Sequence, residues 1–147
     1  MEMKRPMSAT LTKRSITQAA ADKLLDAAQA KAVEIGVPMN IAIVDESGVL
    51  KAFRRMDGAA QLSVDIAQDK AYTAISFSMP THAWFDFIKN DPPLLHGIVK
   101  TPRLVVFGGG YPITLDGEVV GGIGVSGGHY TQDMEVAEAA LAAFAKL

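Results

Sequence analysis

Apolar residues recur along the chain at two spacings, and each spacing predicts a type of element. Between Ile16 and Gly36, the residues Ala21, Leu24, Leu25, Ala28, Ala32 and Ile35 return every three or four positions, with Lys23, Asp26 and Lys31 on other faces. That is the period of an amphipathic helix. Thr17 supplies a hydroxyl to cap its start, and Gly36 followed by Pro38 ends it. Met39 to Asp45 is short, apolar and β-branched, Glu46-Ser47-Gly48 marks a turn, and Val49 to Met56 suits a second strand. Together they predict a β-hairpin. Helical period returns from Leu62 to Ser78 through Val64, Ala67, Ala71, Ala74 and Ile75, and Pro80 closes it. Thr81 is placed to cap a shorter helix from His82 to Asn90, which Asp91-Pro92-Pro93 stops.

The last third changes character. Leu104 to Phe107 reads as a strand, Gly108 to Pro112 as a loop and Ile113 to Leu115 as a short strand. Asp116-Gly117 is a hairpin turn. Glu118 to Ser126 is a glycine-rich strand, and Gln132 to Leu147 forms a helix with Met134, Val136, Ala137, Ala140, Leu141 and Phe144 inside. Strands joined mostly by hairpins predict an α+β fold, one antiparallel sheet of about five strands flanked by helices. No linker or internal repeat divides the 147 residues. The expectation is a loose arm over residues 1–10 and a single domain over residues 11–147.

Composition narrows the chemistry. Fourteen basic and 16 acidic residues leave a net charge of −2, so no basic field exists to hold a nucleic acid. The absence of cysteine removes disulfides, thiolate metal sites, iron–sulfur clusters and a cysteine nucleophile. Lys4-Arg5 has no apolar stretch behind it, and no segment reaches the roughly 18 apolar residues of a membrane span. A cytoplasmic protein without a membrane partner is expected. The acid–base inventory is His82, His96, His129 and the carboxylates.

Several spaced motifs occur in one order. They are Ile41-Ala-Ile-Val-Asp-Glu-Ser-Gly-Val-Leu50, Phe53-Arg-Arg-Met-Asp-Gly58, Asp69-Lys-Ala-Tyr-Thr-Ala74, Gly108-Gly-Gly-Tyr-Pro112, Asp116-Gly-Glu-Val-Val-Gly-Gly-Ile-Gly-Val-Ser-Gly127 and Gln132-Asp133. In this combination the chain resembles the GlcG/HbpS-like family from about Leu11 to Leu147. The resemblance implies a profilin-like antiparallel sheet flanked by helices and assembly as a homo-oligomer. It also implies haem or another tetrapyrrole as ligand, because the family includes haem-binding and haem-degrading proteins and a haem-binding domain attached to a corrinoid adenosyltransferase. Other members stand near catabolic genes. Members often place a small hydroxylated cap before the last helix, whereas this chain has His129.

His129 follows Gly127-Gly128 at the predicted helix start, where free N–H groups favour anions. A neutral imidazole there can accept a proton or ligate iron, or it can be a polar cap. Gly108, Gly109 and Gly110 fit either a turn or close approach of a ligand, and they match no nucleotide-binding pattern. Gly121, Gly122 and Gly124 mark a bulge or close packing, including packing between subunits. Met56 and Asp57 end the hairpin, where the carboxylate is either a turn residue or faces a pocket. Lys70 lies among Ala67, Ala71 and Ala74, so its stem covers apolar surface, and near a ligand it would take a carboxylate or haem propionate. His82, His96 and His129 are the candidate iron ligands; their spacing supports no dedicated metal site.

Two functions compete. One is a haem or tetrapyrrole binder, haem-degrading or redox-sensing. The alternative is an organic-acid enzyme or binder of a catabolic pathway, with His129 as acid–base helped by Asp133, and with Gln132 and the glycine loop near the ligand. A third reading is an accessory protein built for assembly, its alanines and glycines permitting close subunit contact. Whether the chain is an enzyme stays open.

Overall fold

The computed structural model describes residues 7–147. Residues 1–6 of the expected arm lie outside the described residues, and residues 7–10 are exposed without regular structure. The elements are α1 (Gln18–Ile35), β1 (Asn40–Asp45), β2 (Leu50–Arg55), α2 (Ser63–Phe77), α3 (Trp84–Ile88), α4 (Pro92–Gly97), β3 (Gly110–Leu115), β4 (Glu118–Ser126) and α5 (Tyr130–Phe144). The four strands form one antiparallel sheet in the order β2-β1-β4-β3. The α+β expectation holds. No described helix is long and apolar enough to cross a membrane.

Strand period sorts the sheet into two faces. Ile41, Ile43, Ile113, Ile123 and Val125 point to one side and pack with Leu24, Leu25 and Ala28 of α1 and Val136, Ala137 and Ala140 of α5. On the other side Gly122 and Gly124 lie under Ala67 and Ala71 of α2. A Cβ at Gly124 would run into the Ala67 carbonyl oxygen, and one at Gly122 would sit 2.8 Å from the Ala71 carbonyl. The strand glycines therefore serve close packing, and their partner on this side is α2.

The caps and turns follow local chemistry. The Thr17 hydroxyl accepts from the Ala20 N–H. In the first hairpin, Asp45 Oδ1 accepts from Ser47 and Val49 N–H groups. Asp116 and Gly117 both take positive φ, at 53° and 78°, as a two-residue hairpin requires.

Three expectations need correction, and a fourth needs extending. The sheet has four strands because Leu104–Phe107 is not one of them. Its backbone is bound to a side chain instead: the Thr73 hydroxyl donates to the Arg103 carbonyl and accepts from the Val105 N–H. Gly110 to Pro112 is strand rather than loop, with Pro112 tolerated because β3 is a sheet edge. Thr81 does not cap the next helix; it is buried and its hydroxyl accepts from the Gly110 N–H at 2.9 Å. Asp91-Pro92-Pro93 both ends one helix and starts another, α4, since Asp91 accepts from the Leu94 N–H and proline is compatible with a first helical turn.

Replacing Gly124 by alanine is expected to destabilise the protein by about 3 kcal/mol, because backbone rather than a flexible side chain blocks the new methyl. Gly97→Ala, which meets nothing within 4 Å, is expected to change stability by less than about 0.5 kcal/mol. Urea unfolding measures both.

Candidate functional site

α2 carries one charged side chain into the interior. Lys70 is 0% exposed, and its ammonium donates to Asp133 Oδ2 at 2.8 Å and to the Val125 carbonyl at 2.9 Å. Its third side lies over the Phe107 ring, 5.1 Å from the centroid. Asp133, in the first turn of α5, is also buried, and its Oδ1 accepts from the Gly128 N–H at 3.0 Å. Burial pulls the Lys70 ammonium below the usual lysine range and pushes the Asp133 carboxyl up; in each case the partner's charge opposes the shift.

The glycine run wraps this pair. Gly109 has φ of +124°, and a Cβ there would stand 2.7 Å from Lys70 Nζ and 3.0 Å from the Asp133 Cβ. Only glycine can bring the chain that close in that conformation. The Gly109 carbonyl accepts from the Val125 N–H, so Val125 is bound to the loop through its N–H and to Lys70 through its C=O.

Beside the loop lies a cleft of about 430 Å³ lined by His82, Phe85, Asp86, Val106, Phe107, Gly108 and Tyr130. His82 is exposed in the helical turn before α3, and its ring packs against Tyr111 with centroids 5.5 Å apart. Phe85, Phe107 and Tyr130 are all more than two-fifths exposed, which large aromatics avoid unless something covers them. Burial raises the Tyr111 phenol above its usual range.

The predicted residues separate into groups. Lys70, Asp133 and Gly109 meet in the buried network, and His82 and Gly108 line the cleft. Lys70 reaches no ligand surface, since its donors are used inside. His129 is the N-cap of α5: its Nδ1 accepts from the Thr131 N–H, while Gln132 Oε1 accepts from the His129 N–H. His129 is exposed, whereas Asp133 spends its oxygens on Lys70 and Gly128. No His129–Asp133 hydrogen-bonded pair is assembled among the described residues. His96 stands exposed on α4, outside the cleft lining. Met56 packs against the core with its sulfur accepting from the Met39 N–H, and Asp57 sits exposed in the turn. Among the described residues no three His, Asp or Glu side chains gather as metal donors.

Sequence reasoning missed Phe85, Val106, Phe107 and Tyr130. The available signal was adjacency: Phe85 stands one helical turn after His82, and Phe107 and Tyr130 flank Gly108 and His129.

A family model described as haem degrading protein HbpS-like matches residues 16–142. The chain belongs to the HbpS-like family. It is 44% identical over 135 residues to the 15.0 kDa protein of the dhaT-dhaS intergenic region of Citrobacter freundii, covering 90% of this chain and 94% of that one. The crystal structure of Klebsiella pneumoniae protein ORFY matches with a TM-score of 0.92 and 35% identity over 97% of this chain and 99% of that one. A crystal structure of a PduOC:heme complex matches at 0.81 and 35% identity, over 88% of this HbpS-like chain and 94% of the other.

The capping geometry makes a direct prediction. His129→Ala should cost about 1 kcal/mol in urea unfolding, while His129→Asp, which retains an acceptor at the helix start, should stay within about 0.5 kcal/mol of wild type.

Proposed function

We propose that this protein binds haem in the His82 cleft. The observation that carries the reading is the lining itself: one exposed imidazole among the aromatic side chains Phe85, Phe107 and Tyr130. The donor set fits the group. Haem needs a single axial protein ligand, and among the described residues no hydrogen bond engages the His82 ring nitrogens. The cleft volume lies in the range of small-molecule sites, and the aromatic faces suit a flat apolar macrocycle. The family description and the haem complex of PduOC support the same ligand.

When bound, haem supplies one-electron and oxygen chemistry. The chain would supply His82 as the iron ligand and Phe85, Phe107 and Tyr130 as aromatic walls. The organic-acid reading has less behind it, because the acid–base pair it needs is not assembled. We also infer assembly with further copies of this chain, supported by the exposed Phe77 and Phe87, which pack edge-on against Trp84.

Hemin titration of the purified protein tests the ligand. A stoichiometric Soret shift is expected. His82→Ala should weaken binding by roughly tenfold or more, a loss of about 1.4 kcal/mol, with an altered band. His96→Ala, outside the cleft lining, should bind as wild type. Absence of a shift in wild type overturns the haem reading; an unchanged His82→Ala spectrum overturns the ligand assignment. Light scattering checks assembly, and a monomer at working concentration contradicts it.

A further inference from the structure

The cleft is built from three stretches far apart in the chain: His82 to Asp86, Val106 to Gly108, and Tyr130 at the start of α5. Lys70 contacts or is bonded to the structure behind two of them. We propose that Lys70 is a positioning residue for the ligand cleft: its ammonium, through Asp133, Val125 and the Phe107 ring, holds the Phe107–Gly109 wall against the N-terminal turn of α5. This rests on the cleft being the ligand site.

Three observations and one general principle carry the inference. Every donor direction of the ammonium is committed, to Asp133 Oδ2 at 2.8 Å, to the Val125 carbonyl at 2.9 Å and to the face of Phe107, itself a lining residue. The Asp133 end continues to the Gly128 N–H, which fixes the approach to Tyr130. Gly109 lies directly on the ammonium in a conformation reserved for glycine, and its carbonyl is pinned by the Val125 N–H. Finally, a buried ion pair is often no more stable than apolar residues of the same volume. What the pair adds over such residues is direction: hydrogen bonds fix angles and distances that oily contacts leave free.

The last point sets the test. Lys70→Met with Asp133→Leu removes both charges and keeps similar bulk. The double variant is expected to unfold cooperatively near the wild-type melting temperature. In the absence of hemin, its Val125 amide, which donates to the Gly109 carbonyl, should exchange faster than in wild type. Its hemin affinity should fall about 10- to 100-fold with a shifted Soret band, the size of effect seen when a supporting residue behind a ligand is lost. A folded double variant with wild-type exchange and wild-type hemin binding overturns the proposal. Should the double variant not fold, Asp133→Asn keeps an acceptor for Gly128, removes one charge and is read in the same two ways. Should neither fold, the pair serves folding as a whole and the positioning role is overturned. If wild type itself takes no hemin, the haem reading fails, and the exchange measurement still decides whether Lys70 holds these walls.

Discussion

A lysine ammonium without exposed surface must find acceptors and a counter-charge inside the protein, because an unpaired buried charge costs several kcal/mol. Lys70 finds them on three different elements. Asp133 comes from α5, Val125 from the end of β4, and Phe107 from the stretch that leads into β3. These elements join the chain's last third to α2, across 63 residues in the case of Asp133. One buried point charge thus ties the glycine loop, the sheet and the final helix to one another. The cleft with His82 lies on the outer side of that junction.

The reach of Lys70 depends on how closely α2 lies on the sheet. A lysine side chain spans a fixed length, and α2 must sit low for the ammonium to arrive at β4 and α5. Ala67 and Ala71 on the helix and Gly122 and Gly124 on the strand make that possible, since any larger residue at the strand positions would strike helix backbone. The alanine and glycine richness of the chain is in this sense part of the site. Small residues bring the helix down, the helix carries the lysine in, and the lysine orders the loop. The opposite face of the sheet has no such task, and there Ile41, Ile43, Ile123 and Val125 build an ordinary aliphatic core with α1 and α5.

Local chemistry was the legible part of this molecule. Helices α1, α2 and α5 and both hairpins follow from period, caps and turns that sit within a few residues of one another. The misread stretch, Leu104–Phe107, has the composition of a strand, yet its N–H at Val105 goes to a hydroxyl on α2. That choice depends on a residue more than thirty positions away and leaves no local mark. The site divides in the same manner. Lys70, Asp133, His82 and the glycines were recognisable singly by residue type. That Lys70 would spend its charge on Asp133 rather than on a ligand, and that His129 would cap a helix rather than act with Asp133, are facts of tertiary placement. The aromatic lining at Phe85, Phe107 and Tyr130 is tertiary too.

The central claim is that the Lys70–Asp133 interaction organises this part of the fold, and a double-mutant cycle reads that interaction alone. Urea unfolding of wild type, Lys70→Met, Asp133→Leu and the double variant gives the coupling energy between the two side chains. The account predicts a coupling above about 2 kcal/mol, each single change being costly and the second largely relieving the first. A coupling below about 0.5 kcal/mol would contradict it, because the two residues would then contribute independently.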